Sequence, residues 1–211
     1  MAVTGGILFL FLIAHMIGNL KVFLGRRAFD DYAHWLRTIG EPAVPHRTLL
    51  SIVEAVLFVS VVLHIWAAAS LTRQAHQARP VKYAVALKAE EDRYATHVMR
   101  WGGVVILLFV IWHLLDMTFG VVNPKDGSTD AYAKIVASFD PSRWYSTAFY
   151  VIALILVGFH LKHGLWSACQ SLGWGRQDRY RGLRVFSDVV AVLLTIGFVS
   201  VPIMVTIRVV K

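Results

Sequence analysis

Five long apolar segments dominate this chain of 211 residues and restrict the folds that it can adopt. Each is about 20 residues or longer, the length of helix that crosses the ~30 Å hydrocarbon core of a bilayer. Only helices and closed barrels satisfy their backbone hydrogen bonds in lipid, and apolar runs of this length indicate helices. We therefore predict an all-α integral membrane bundle of five transmembrane helices, forming one domain over residues 1–211. The spans lie at roughly 4–24, 49–71, 101–122, 144–172 and 185–207.

Two of the segments that connect the spans have helical periodicity of their own. Residues 26–39 and residues 130–139 repeat apolar side chains every three or four positions, which predicts two short helices that lie in the membrane interface. Two roles are open for them. They cap the bundle, or they form a roof over a cofactor or quinone pocket.

The formal net charge of +8 comes from basic residues in the loops between spans. Anionic lipid headgroups and a docked partner explain this placement better than nucleic acid does. The second and fourth loops carry slightly more Lys and Arg than the first and third, which predicts that the N-terminus lies on the inner side of the membrane. We expect a multi-pass protein of the cell inner (plasma) membrane with a cytoplasmic N-terminus. The charged loop at 72–99 is either a docking surface or an ordinary solvated loop.

The candidate cofactor ligands are histidines, because the single cysteine, Cys169, excludes a disulfide framework and an iron–sulfur cluster held by this chain alone. Four of the spans each contain one histidine, at nearly equal intervals along the chain. Ionisable residues inside a bilayer are costly, and they usually have functional partners. Facing neutral imidazoles in a helix bundle commonly hold a haem iron. These residues are His15, His64, His113 and His160.

Helix geometry predicts how the four histidines pair. At ~1.5 Å of rise per residue, His15 and His113 lie about 17 and 18 Å from the start of spans that both begin at the inner surface. His64 and His160 lie about 22 and 24 Å into spans that begin at the outer surface. We therefore predict an outer pair, His15 with His113, and an inner pair, His64 with His160. The alternative is that the histidines are polar contacts between helices of a haem-free transporter or structural anchor.

The sequences around these histidines resemble a known family. The first span contains AHMIGNL around His15, the fourth contains GFHLKHGLWS around His160, and the third contains FVIWH, which ends at His113. These segments resemble the cytochrome b membrane anchor of succinate dehydrogenase and fumarate reductase, of the single-chain, five-helix, dihaem type. The resemblance covers nearly the whole chain. It departs at Gly158, where some menaquinol-oxidising relatives carry a glutamate, so a proton path through that carboxylate is not expected.

The resemblance implies a subunit of succinate:quinone oxidoreductase in the respiratory chain and the tricarboxylic acid cycle. Such anchors dock a flavoprotein subunit with FAD and an iron–sulfur subunit on the cytoplasmic side. Electrons pass through two b haems, the first between His64 and His160 and the second between His15 and His113, to a quinone of the menaquinone type. A free-standing dihaem reductase of cytochrome b561-like architecture is the main alternative. It would have no docked subunits.

Reduction of a quinone needs a proton donor near the ring oxygens, and three carboxylates are predicted to lie near the outer histidine pair. Glu54 lies in the second span, Asp116 follows His113 by about one turn, and Glu41 lies in the first loop. Intramembrane carboxylates are functional candidates by default. The alternative is that Glu54 and Asp116 each pair with an arginine or a backbone donor.

Four residues near the inner surface are candidates to contact haem propionates, which need cationic or polar partners. They are His163, Arg100, His97 and Lys162. The alternative is that such residues anchor the helix ends in the interface.

Overall fold

The computed structural model describes residues 1–78, 90–125, 128, 130–174 and 180–211, with the backbone alone described at 90–98. Seven α-helices occur in these ranges, and no strand does. They are α1 (Ala2–Leu20), α2 (Arg26–Thr38), α3 (Thr48–Gln77), α4 (Glu90–His113), α5 (Ala131–Ser138), α6 (Trp144–Ser171) and α7 (Tyr180–Thr206). A 3-10 turn, Lys21–Leu24, extends α1, and a π-helical turn, Leu114–Thr118, extends α4.

Five of these helices are long and apolar enough to cross a membrane: α1, α3, α4, α6 and α7, counting the turns that extend α1 and α4. This confirms the predicted five-span helical bundle. Helix α3 continues to Gln77, beyond the predicted end of the second span. Its last turns carry Arg73 and His76, polar residues that hydropathy excludes from a span although the backbone remains helical.

The two short helices, α2 and α5, lie where periodicity predicts them and pack against each other. Arg26 of α2 forms an ion pair with Asp130, the N-cap of α5, at 2.7 Å. The backbone N–H of Tyr132 donates to the Asp30 carboxylate at 3.0 Å, and the Tyr132 hydroxyl donates to the carbonyl oxygen of Lys211 at 2.9 Å. We call the end of the bundle where α2, α5 and the end of α7 meet the upper end.

Helix α6 is the centre of the bundle and packs against α1, α4 and α7. Glycines at two helix contacts allow the neighbouring helix to approach closely. A Cβ atom at Gly158 of α6 would collide with the Thr195 hydroxyl of α7, and one at Gly18 would lie 2.8 Å from the Tyr32 ring. Small residues commonly permit such contacts between membrane helices.

Helix α3 is peripheral. It packs along α1 and touches α2, and in the described part of the chain its only buried residue is Ser60. Helix α6, in contrast, buries residues along its length from Ser146 to Leu161. The position of α3 therefore depends on few protein contacts.

Candidate functional site

The structure brings together the imidazoles of His15 on α1 and His113 on α4, with ring centroids 5.8 Å apart. Aromatic rings surround this pair. Phe11 stacks on His15 at 5.1 Å, Phe198 of α7 lies 5.8 Å from His15, and Phe109 lies 5.8 Å from His113. We call these two histidines the upper pair, because Tyr150, which contacts His113, also contacts Phe139 next to α5.

The structure also brings together His64 on α3 and His160 on α6, with ring centroids 6.3 Å apart. These form the lower pair, near the start of α1. The Thr4 hydroxyl lies 3.2 Å from Nδ1 of His64, and a Cβ atom at Gly5 would lie 3.4 Å from the same ring. In the described residues, Nδ1 of His160 is buried without a hydrogen-bond partner.

Both pairs fit a shared metal ion such as a haem iron. Because an imidazole nitrogen binds a transition metal at about 2 Å, two rings that share one ion have centroids roughly 6 Å apart. The observed separations are 5.8 and 6.3 Å. The helices that carry each pair are also spaced apart, since within the described ranges neither α1 with α4 nor α3 with α6 forms an extended contact. That spacing is what a flat group between two imidazoles requires.

Asp116 is fully buried in the π-helical turn that follows His113. The Tyr150 hydroxyl donates to its Oδ2 at 3.2 Å, and the Asn123 amide donates to its Oδ1 at 3.2 Å. The Arg143 guanidinium lies 3.8 Å from Oδ1. Both carboxylate oxygens are thus occupied by protein groups.

Asn123 ties this cluster to α5. Its amide nitrogen also lies 2.7 Å from the Ser138 hydroxyl and 3.2 Å from the carbonyl oxygen of Lys134. A loop residue therefore links the end of α4, the short helix α5 and the buried carboxylate. Buried polar groups are stable only when they are paired in this way.

The other two candidate proton donors lie at the surface of the upper end. Glu54 pairs with Arg47 at 3.3 Å and Glu41 pairs with His46 at 2.9 Å, and the two glutamate side chains are 49% and 40% exposed. All three carboxylates have a cationic or histidine partner, which is the alternative arrangement that the sequence left open for Glu54 and Asp116. Their role toward a quinone stays a prediction.

The described candidates for propionate contacts have different partners. Lys162 pairs with Asp188 of α7 at 3.2 Å, and Arg100 lies 3.2 Å from Nε2 of His76 at the end of α3. His163 is half-buried one turn after His160. The side chain of His97 lies outside the described residues, as does much of the loop at 72–99.

Sequence reasoning did not identify Tyr150, Asn123, Arg143 or Thr4 as parts of these sites. A weak signal existed for Tyr150, because Ser146, Thr147 and Tyr150 place polar groups at helical spacing in an otherwise apolar span. No such signal marked Asn123, a loop residue whose side chain contacts both the turn that precedes it and the short helix α5 that follows it.

Comparison with known proteins identifies one informative relative. Over 191 residues the chain is 24% identical to the succinate dehydrogenase cytochrome b558 subunit of Bacillus subtilis (strain 168), and the alignment covers 87% of this chain and 81% of that protein. The chain is a homologue of a succinate dehydrogenase cytochrome b subunit. No family model matches the chain, and no solved structure matches it with significance. The homology and the five apolar helices together make it a multi-pass membrane protein.

Proposed function

We propose that this chain is the membrane-anchor cytochrome b subunit of a succinate:quinone oxidoreductase. The observation that carries the proposal is the pair of histidine sites, each formed across helices that are spaced apart. The homology extends over nearly the whole chain and supports the same assignment. Neither argument depends on the other, since the first uses geometry and the second uses sequence identity.

The proposed ligands are His64 with His160 at the lower site and His15 with His113 at the upper site, one b haem at each. A bound haem supplies reversible one-electron transfer. The two histidine pairs would hold the irons at successive depths, and the apolar rings of Phe11, Phe109 and Phe198 beside the upper pair would exclude water there.

The proposed partners are an iron–sulfur subunit and a flavoprotein subunit that carries FAD, docked at the lower end. The name of the relative, a succinate dehydrogenase subunit, supports this choice. The sequence concentrates basic residues in the second and fourth loops, which suits docking of such partners and contact with anionic lipid. This orientation places the N-terminus in the cytoplasm.

We propose that the quinone, of the menaquinone type, is reduced at the upper end. Glu54 and Glu41 are accessible there, whereas Asp116 is enclosed and occupied by Tyr150 and Asn123. A proton donor must reach the ring oxygen directly or through one water. Accessibility therefore favours the two glutamates as donors and gives Asp116 a different task.

A reduced-minus-oxidised optical spectrum of the purified complex, together with identification of its subunits, tests the proposal. We expect two b haems and co-purification of subunits that carry FAD and iron–sulfur clusters. His64→Ala and His160→Ala should remove one haem, and His15→Ala and His113→Ala the other. His34→Ala, an exposed substitution on α2, is the control and should retain both.

Three outcomes would contradict parts of the proposal. A spectrum without b-type bands rules out haem. Loss of the same haem in His64→Ala and His15→Ala rules out the pairing. Two haems without co-purifying subunits indicate the free-standing dihaem reductase of cytochrome b561-like architecture.

A further inference from the structure

A chain of two hydrogen bonds joins His113 of the upper pair to the buried carboxylate of Asp116. The Tyr150 oxygen lies 3.4 Å from Nδ1 of His113 and 3.2 Å from Oδ2 of Asp116. All three groups lie between α4 and α6, and both Tyr150 and Asp116 are buried, at 4% and 0% exposure. No water is needed to complete the chain.

The chemistry of the three groups fixes the direction of this chain. A tyrosine hydroxyl has one proton, and a carboxylate can only accept. Tyr150 therefore donates to Asp116, and its oxygen remains as an acceptor for the N–H of His113. That arrangement holds the proton on Nδ1 of His113 and leaves Nε2 with a free lone pair, the form that binds a metal.

Asp116 is held from both sides, so the direction of the Tyr150 hydroxyl is fixed as well. Asn123 donates to the other carboxylate oxygen at 3.2 Å, and Arg143 lies 3.8 Å away. Asn123 is anchored in turn to Ser138 of α5 at 2.7 Å, so rotation of the carboxylate would break its hydrogen bond to an amide that α5 holds in place.

The lower pair has no equivalent among the described residues. Nδ1 of His64 lies 3.2 Å from the Thr4 hydroxyl, which donates to the carbonyl oxygen of Met1. Nδ1 of His160 has no partner there. The hydroxyl beside His113 thus donates to a carboxylate, whereas the hydroxyl beside His64 donates to a neutral carbonyl group. The carboxylate polarises the hydrogen bond at His113 more strongly.

We propose that Tyr150 and Asp116 are positioning residues that orient His113 and make its metal-binding nitrogen more electron-rich. The inference rests on the proposed function, since it takes His113 to be a haem ligand. Hydrogen bonds from a metal-ligating imidazole to a carboxylate or other acceptor raise the basicity of the ligand. A more basic ligand stabilises ferric over ferrous iron, so the chain lowers the reduction potential of the upper haem.

A redox titration of the purified complex, followed optically, tests this inference. Tyr150→Phe keeps the ring and removes only the hydroxyl. We expect it to retain both haems and to make one of them easier to reduce by about tenfold in the equilibrium constant, which is about 59 mV for a one-electron couple. Asp116→Asn should shift the same haem in the same direction.

Tyr132→Phe is the matched control. Tyr132 is a buried tyrosine of the same apolar cluster, but its hydroxyl donates to the carbonyl oxygen of Lys211 instead of contacting a histidine. Both haem potentials should therefore be unchanged in this variant.

Unchanged potentials in a Tyr150→Phe complex that retains both haems overturn the inference. Equal shifts of both haems, or an equal shift in Tyr132→Phe, overturn it as well, because they indicate a general packing effect. If Asp116→Asn does not assemble, Tyr150→Phe alone decides. Absence of b haem from the wild-type complex contradicts the proposed function instead, so the two failures are distinguishable.

Discussion

The two histidine pairs are alike in separation but differ in what surrounds them. The upper pair lies between α1 and α4 among three phenylalanine rings and a buried polar cluster. The lower pair lies between central helix α6 and peripheral helix α3, and His64 lies beside Thr4, Gly5 and His160. Many protein contacts hold the upper site together, whereas fewer contacts among the described residues hold the lower site.

This difference has a physical consequence for stability. Local opening requires little free energy where few apolar contacts are lost. In the described part of the chain α3 packs mainly along α1 and touches α2, and Arg100 of α4 reaches His76 near its end. A haem held between His64 and His160, as proposed, would therefore be a main link from α3 to α6. The upper pair lies on helices that α6 and α7 already hold in place.

Breaking the lower pair should therefore loosen α3. In His64→Ala we expect amide hydrogen exchange in the middle of α3 to increase by about tenfold or more, which corresponds to about 1.4 kcal/mol of local opening free energy. Hydrogen exchange of the purified complex, read by mass spectrometry, measures this. His15→Ala is the comparison, and its effect on α3 should be much smaller because α1 stays packed against α6 and α7. An equal increase of amide exchange in α3 in the two variants would contradict the inferred difference between the two sites.

The largest expected change in unfolding free energy concerns the two kinds of carboxylate at the upper end. Asp116→Ala leaves the nearly buried Arg143 and the Tyr150 hydroxyl without their partner. Breaking a buried pair in this way typically destabilises a protein by about 3–5 kcal/mol. We expect the free energy of unfolding to fall by about that amount. Thermal unfolding in detergent would measure the loss.

Glu54→Ala is the matched control, because its pair with Arg47 is half exposed. Exposed ion pairs contribute about 0–1 kcal/mol, so this variant should unfold at nearly the wild-type temperature. An equal loss of stability in both variants would contradict the buried role of Asp116.

Sequence could predict the spans and the partner of each histidine because both follow from local quantities. Apolar length fixes the spans, and rise per residue fixes the depth of each side chain. The histidines that share a predicted depth, such as His15 and His113, are neighbours in the structure. Their role as iron ligands stays a prediction.

The cluster around Asp116 could not be predicted, for two physical reasons. The turn after His113 is π-helical, so residues beyond it occupy other faces than the regular 3.6-residue spacing implies. The partners of the carboxylate come from α6 and from the loop residue Asn123, and tertiary packing alone brings them together. Asp116 was identified as buried in the membrane, but its contacts were not.

A smaller effect is expected at Gly158, two residues before His160. Gly158→Ala adds a methyl group that collides with Thr195 of α7, and overpacking of this kind destabilises by about 1–3 kcal/mol. We expect a lower unfolding temperature and a perturbed spectrum of the lower haem, while the spectrum of the upper haem is unchanged.

Gly182→Ala is the control for that substitution, since a Cβ atom there meets open space and the residue lies in the same helix as Thr195. Alanine is favoured over glycine in a helix by up to about 1 kcal/mol, so this variant should be as stable as wild type or slightly more stable.

Perturbation of both haems in Gly158→Ala would mean that α6 shifts as one rigid body, and the two sites would then not be independent.

The smallest effect is expected at Thr4. Its hydroxyl lies beside Nδ1 of His64, as the Tyr150 hydroxyl lies beside Nδ1 of His113. Thr4→Val keeps the shape of the side chain and removes the hydroxyl that lies 3.2 Å from Nδ1 of His64. Because that hydroxyl donates to the neutral carbonyl oxygen of Met1, it polarises the imidazole less than a carboxylate-bound tyrosine does. We expect the potential of the lower haem to move in the same direction as that of the upper haem in Tyr150→Phe, but by a smaller amount in the same redox titration. A shift as large as that of Tyr150→Phe would mean that any oxygen acceptor at Nδ1 suffices and that the buried charge of Asp116 adds nothing.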